Sequence, residues 1–295
     1  MSGSVHVVIL AAGLGTRMRS KKAKVLHRAG GLTLVEHVVR VALEVAPPGQ
    51  VTVVTGHQAD IVEQVLAPYG VRFARQTEQR GTGHAVMCCR DAVAGAGPED
   101  LLVILYGDSP LLSAATVRRL VERQQASQDA GIVITTTLDD PTGYGRVLRD
   151  SAGHIQAIVE QKACTPEQAA VREINSGIYA FRNALVWRHI GEIGTNNPAG
   201  EYYLTDIVEI LRAQGHAFSI LHLDDAAEVM GINTRVELAL VDRIFRERKA
   251  TELMLAGVTI VKPGPSSLRR CAVSCGEATA PSSPALFASR ARAVT

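Results

Sequence analysis

Leu101–Tyr106 (LLVILY) runs six residues without a charged side chain, and such a run suits a strand buried on both faces. Two-sided burial belongs chiefly to parallel sheets covered by helices, so this run points to an α/β architecture. The neighbouring segments agree. Residues 5–11 read as a first strand, and residues 33–45 carry Leu34, Val38, Val41 and Val45 at helical spacing. The β-branched run 50–55, bounded by Gly56, completes a β-loop-α-β opening. Further on, 60–66, 83–93 and 113–125 read as helices, the last with Val117, Leu120 and Val121 inward, and 71–74 and 131–138 read as strands.

After Gly143 the texture changes. Gly145–Arg149, 155–160 and 176–181 are alternating strand-like runs with few helical neighbours, as in an antiparallel layer laid on the parallel sheet. Helical periodicity returns over 204–213 and Arg235–Leu255, where Val241, Ile244 and Phe245 make the inner stripe. Arg243, Arg246, Glu247, Arg248 and Lys249 form its solvated face. Residues 262–295 gather Ser, Pro, Ala and Arg with Glu277 as the only acid, so an irregular or disordered tail is expected after a folded domain over 1–261.

Charge limits the partners. With 31 basic against 29 acidic residues there is no global field for nucleic acid, so an anionic ligand must be met by local donors. No apolar run approaches the ~20 residues of a membrane helix, and Met1–Ser4 has no secretory character, which predicts a soluble cytoplasmic protein. Cys88, Cys89, Cys164, Cys271 and Cys275 are odd in number and lack Cys-x-x-Cys spacing, which favours buried free thiols over a disulfide framework or zinc site.

The chemistry concentrates in Leu10-Ala11-Ala12-Gly13-Leu14-Gly15-Thr16-Arg17-Met18, directly after the first strand. A glycine turn there can aim backbone N–H groups at a phosphate, and Arg17 adds a fork of donors that stays charged. Met18 stands where a dinucleotide motif needs its third glycine, and no Gly-Lys-Ser/Thr of a P-loop is present. Lys24, anchored by the apolar pair Val25-Leu26, is a candidate second phosphate contact, with Lys21 and Lys22 solvated. Asp108 ends the LLVILY strand, where ligands gather in open sheets. It suits Mg²⁺ opposite a phosphate cradle and equally suits a cap on the following helix. His57 and His84 lack metal-ligand spacing, and Trp187 reads as a packing residue.

The stretches LAAGLGTRM, KVLH, QTEQRGTGHA, YGDSPLL, DPTGYGRV, IVEQK, EINSGIYAF, GEYYLTDIV and GINTRVEL follow one another over residues 5–261. In this order they resemble the uridyltransferase domain of bacterial bifunctional N-acetylglucosamine-1-phosphate uridyltransferases. The resemblance implies a Rossmann-like nucleotidyltransferase fold: a mostly parallel mixed sheet flanked by helices, with an antiparallel sugar-binding subregion. It also implies a reaction, in which UTP and N-acetylglucosamine 1-phosphate give pyrophosphate and UDP-N-acetylglucosamine, a precursor of peptidoglycan and lipopolysaccharide. By the same resemblance Leu10, Ala11, Ala12 and Gly13 contact the nucleotide, Arg17 and Lys24 hold phosphates, and Asp108 with Asn233 ligates Mg²⁺. Gln76, Gly81 and Thr82 read uracil, with Gln79, Tyr106 and Gly107 in the same wall. Gly145, Glu160, Asn175 and Thr205 face the sugar.

Three positions depart from the family pattern. Ala23 replaces a proline before Lys24, which predicts a looser loop. Arg80 replaces a leucine and is either exposed or an extra phosphate contact, and Ala163 replaces an aspartate after Gln161-Lys162. The hexapeptide repeats of the family's acetyltransferase β-helix are absent from the sequence. The expectation is therefore no acetyltransferase activity, no trimer organised by that β-helix, and a tail produced by truncation or frameshift. Two other readings stay open: a sister nucleotidyltransferase for another base or sugar, and a nucleotide-sugar binding module with weak turnover. The intact set Arg17, Lys24, Asp108 and Asn233 argues against the second.

Overall fold

The computed structural model of the chain describes residues 3–93 and 97–260. The tail expected over 262–295, with Cys271, Cys275 and Glu277, lies outside them. The chain divides into two compact units, Met1–Asp242 and Arg243–Thr295.

Secondary structure begins with β1 (Val5–Leu10), a small hairpin of β2 (Arg28–Ala29) and β3 (Leu32–Thr33), α1 (Leu34–Leu43), β4 (Val51–Thr55), α2 (Ala59–Leu66) and β5 (Arg72–Arg75). It continues with α3 (Thr82–Met87), β6 (Leu101–Tyr106), α4 (Ala114–Ala126), β7 (Gly131–Thr137), β8 (Gly145–Arg149) and β9 (Ile155–Val159). The last elements are α5 (Pro166–Ala169), β10 (Glu173–Arg182), α6 (Asn183–His189), α7 (Asp206–Ala213), β11 (Phe218–His222) and α8 (Arg235–Leu255).

Helix starts follow local chemistry. Thr33 and Glu36 form a reciprocal capping box on α1, with the Thr33 N–H donating to Glu36 Oε2 at 2.7 Å. Ser113 caps α4 by accepting from the Thr116 N–H at 3.1 Å, so the capping alternative for Asp108 is not taken up. The helix expected over 83–93 is shorter. α3 ends at Met87 because Cys89 and Arg90 donate to carbonyls three residues back, which tightens the turn, and a separate 3₁₀ turn spans Asp91–Val93.

Seven strands are ordered β11-β7-β10-β6-β1-β4-β5, all parallel except β10. The antiparallel pair β8–β9 does not lie on this sheet as a second layer. It is hydrogen-bonded to the overhanging start of the ten-residue β10, with Ile174 opposite Arg146 and Asn175 opposite Gly145. Alternation along β1 splits the core in two, with Val7 and Ile9 on one face and Val8 and Leu10 on the other. The first face is covered by α1, α2 and α4 through residues such as Val38, Leu66 and Leu120, and the second by α3, α6 and α7 through Val86, Val186 and Val208. LLVILY contributes to both, as a doubly buried strand must.

The described part of the second unit, residues 243–260, comprises the later turns of α8. Ion pairs within it include Arg243–Glu247 at 3.8 Å and Lys249–Glu252 at 2.6 Å. Arg246, expected on the solvated face, is half-buried. Among the described residues no helix is long and apolar enough to cross a membrane.

Candidate active site

Register sets the site. Leu10 lies opposite both Tyr106 and Val54, and Thr55 lies opposite Arg75, so β1, β4, β5 and β6 release their loops at one level. A cleft of about 540 Å³ opens over these carboxyl ends and is lined by all the expected site residues except Gly107 and Thr205. Gly107 lies beneath the first loop, donating to the Leu10 carbonyl at 2.9 Å. Thr205 is buried.

The first loop is fixed at its root by Ala11 N–H donating to the Val54 carbonyl at 3.0 Å. Gly15 then turns with φ +63°, and a Cβ there would stand 2.5 Å from Lys24 Cβ, so only glycine lets this loop close over the lysine. Met18, buried in the 3₁₀ turn Thr16–Met18, anchors the end of the loop while Arg17 stays exposed. Val25 and Leu26 are buried beside Lys24, and Lys21 and Lys22 are exposed, as the sequence predicts.

These anchors bring four charged or amide groups together. Lys24 Nζ donates to Asp108 Oδ2 and, at 3.1 Å, to Asn233 Oδ1, which also accepts from Arg17 Nη2 at 2.8 Å. Asn233 is oriented from behind. Its Nδ2 donates to the Gly231 carbonyl at 3.3 Å and its backbone N–H to Glu237 Oε2 at 2.6 Å, which leaves Oδ1 as the group facing the cations. An ammonium bridging a carboxylate and an amide oxygen marks a place built for positive charge. All-oxygen donors with a single carboxylate fit Mg²⁺. Among the described residues there is no group of three or more His, Cys, Asp or Glu for a softer or fully protein-caged metal.

Ala23 does not loosen this loop. Its φ of −53° lies within the range proline would impose, and its N–H donates to Gln58 Oε1 at 2.7 Å, a bond proline could not make.

At the next rim Gln76 is buried and fully committed on one side. Its amide nitrogen donates to the Gly81 carbonyl at 3.0 Å and contacts His84 Nδ1 at 3.1 Å, which leaves only the carbonyl oxygen for a ligand. Gln79 Nε2 donates to the backbone carbonyl of Gln76 at 3.2 Å, so the Gln76 side-chain oxygen stays free. Burial pushes the Tyr106 hydroxyl well above its ordinary pKa, and the carboxylates of Glu160 and Asp108 add to the shift. Arg80 does not line the cleft. Its guanidinium lies 5.1 Å from the Tyr202 ring centroid, and the backbones join where the Tyr202 N–H donates to the Arg80 carbonyl at 2.8 Å.

The opposite end belongs to the antiparallel strands. A Cβ on Gly145 would sit 3.6 Å from both Asn175 Cβ and Glu160 Oε1, so the three residues share one corner. The pairing of β10 with β7 slips between Asn175 and Tyr179, where Gly177 turns with φ +80° against the Tyr106 ring. Burial raises the Glu160 pKa, Asp206 adds to this, and the Thr205 hydroxyl works the other way.

The cleft also contains Ser109, Tyr144 and Glu201, which the sequence reading left without a role. Each lies inside a stretch the reading singled out (YGDSPLL, DPTGYGRV, GEYYLTDIV), and that position was the available signal. Trp187 packs against the second core face and donates from Nε1 to Asn183 at 2.7 Å. Cys88, Cys89 and Cys164 are free thiols, of which only Cys89 is fully buried.

A MobA-like NTP transferase domain model matches residues 7–181. The chain is 55% identical over 263 residues to the bifunctional protein GlmU of Solibacter usitatus, covering 89% of this chain and 56% of that protein. It is 46% identical over 260 residues to GlmU of Koribacter versatilis, covering 87% and 55%. The chain thus spans about half the length of these relatives. A crystal structure from Bacillus anthracis, assigned as a glucose-1-phosphate thymidylyltransferase with bound sucrose, superposes with a TM-score of 0.62 at 22% identity. It covers 81% of this chain and 94% of that one, and establishes the shared nucleotidyltransferase fold. With its mostly parallel sheet and a family model matched over more than half its length, the chain belongs to the MobA-like NTP transferase family.

Proposed function

We propose that the protein transfers the uridylyl group of UTP to N-acetylglucosamine 1-phosphate. A phosphate oxygen of the sugar phosphate attacks the α-phosphorus, the bond from that phosphorus to the β-bridging oxygen breaks, and pyrophosphate leaves with the electron pair. The nucleophile is already ionised, so no base is required, and the catalytic task is to hold two polyanions in line. The observation that carries the reading is the cluster of Lys24, Arg17, Asp108 and Asn233 at the strand tips.

Arg17 and Lys24 would hold the phosphates and offset the charge that grows on the bridging oxygen. Asp108 and Asn233 would hold Mg²⁺, which neutralises charge on the phosphates when bound. Residues 10–13 would present backbone donors to the nucleotide. Gln76, with only its carbonyl free, would accept from the imide N–H of uracil and reject cytosine, whose ring nitrogen at that position is itself an acceptor. Gly81, Thr82, Gln79 and Tyr106 would close the base pocket, with Gly107 supporting it from below. Glu160 and Asn175 would hold the sugar beside Gly145, with Thr205 supporting Glu160. Consumption of UTP fits a cytoplasmic enzyme, and every residue given a role lies within 1–261.

The test is pyrophosphate release with UTP and N-acetylglucosamine 1-phosphate, with and without Mg²⁺, against a panel of other nucleotides and sugar phosphates. Turnover should require the metal and prefer UTP over CTP. A stronger response to another base or sugar would replace the substrate assignment, and tight binding of UDP-N-acetylglucosamine without turnover would replace the activity.

A further inference from the structure

We propose that Gln58 is a positioning residue for Lys24, acting as a side-chain clamp on the loop that carries it. The proposal rests on the reading of Lys24 as a phosphate contact. Gln58 precedes α2 and adopts φ +55°, a left-handed conformation unfavourable for a residue with a side chain. Its amide spans to the opposite loop and holds it at two points. Oε1 accepts from the Ala23 N–H at 2.7 Å and Nε2 donates to the Lys21 carbonyl at 3.1 Å.

Both contacts fall on residues that set the direction of Lys24. Ala23 is 1% exposed and begins the 3₁₀ turn Lys24–Leu26, its carbonyl accepting from the Leu26 N–H at 3.0 Å. A buried N–H requires an acceptor, and Gln58 supplies the one this N–H has. Gln58 itself does not line the cleft, so its effect on phosphate must pass through the loop. The backbone angles of Ala23 suit proline, but a proline ring would occupy the space of the bond to Gln58. The two residues are therefore alternatives for fixing one backbone, and their substitutions should be coupled.

The experiment uses the full chain and the variants Gln58→Gly, Ala23→Pro and the pair. Glycine is favoured at φ +55°, which offsets part of the cost of leaving the Ala23 N–H without its acceptor, so Gln58→Gly should lower the melting temperature by no more than a few degrees. It should nevertheless lower kcat about three- to tenfold, with a smaller change in KM for UTP, and accelerate amide exchange over residues 21–26. Ala23→Pro alone should also be impaired, by collision with Gln58. The double variant should recover most of the wild-type kcat. Gln58→Gly with kcat within twofold of wild type and unchanged exchange over 21–26 would overturn the clamp, as would a double variant no better than the worse single one. If the wild-type protein fails to turn over UTP, the functional reading fails. The exchange rates of the same variants still decide whether Gln58 holds the loop.

Discussion

At the scale of residues a single lysine, Lys24, joins the strand-tip carboxylate of Asp108 to the amide of Asn233, and the proposed chemistry rests on this contact. On the proposed reading, removing Asp108 takes away a metal ligand and leaves the Lys24 ammonium without its carboxylate, so Asp108→Ala should cut turnover by ~10²–10³, read as pyrophosphate release across a Mg²⁺ titration. Gln76→Ala should erase base discrimination more than overall rate. The ratio of kcat/KM for UTP over CTP should fall by at least about tenfold, because the acceptor proposed to tell the two rings apart is gone. The placing of Arg17, Lys24 and Asp108 in one cleft was legible in the sequence because each sits in a local motif at or near a strand end. Gln58 was not, since its partners Lys21 and Ala23 are more than thirty residues away and only packing brings them within reach. Arg80 shows the same limit, because nothing near it in sequence indicates that Tyr202 will take its guanidinium.

Elements fix the site through caps and close approaches. The segment around Tyr202 closes on the turn before α3. The Gly83 N–H donates to the Tyr202 carbonyl at 2.8 Å, and the Leu204 N–H donates to Thr82 Oγ1 at 3.0 Å. Gly81 makes this possible, with φ +108° and a hypothetical Cβ 2.5 Å from the Tyr202 carbonyl oxygen. Gly81→Ala should destabilise the protein by about 1–3 kcal/mol from backbone strain alone, measured by urea denaturation, and raise KM for UTP. Thr33→Ala, which removes the α1 cap outside the cleft lining, should cost about 1 kcal/mol with kcat unchanged. Strand identities were readable from apolar runs, and the helix 83–93 was overestimated because periodicity alone does not register the switch to i−3 bonding after Met87.

At the scale of the whole molecule, one pH response follows from the half-buried carboxyl groups of Glu160 and Asp206. Burial and then Glu209 raise the Asp206 pKa from 3.8 to about 6. Between these pH values the folded chain holds a proton the unfolded chain has released, so this residue's contribution to stability falls as pH rises through that window and is level above it. Asp206→Asn should remove that slope, visible as a difference between wild-type and variant urea midpoints that grows from pH 4 to pH 6. It should also let Glu160 ionise at lower pH, since Asp206 is the second cause of its shift. At this scale the sequence by itself determined the α/β class, the doubly buried strand and the motifs over strand tips, because periodicity and turn chemistry are local. Only tertiary structure decided that β8–β9 continue from β10, that Asn233 meets Lys24 across more than two hundred residues, and that a glutamine reaches the amide proline would have lacked. Strand register and side-chain reach depend on how separate segments pack, and no window of sequence contains both partners.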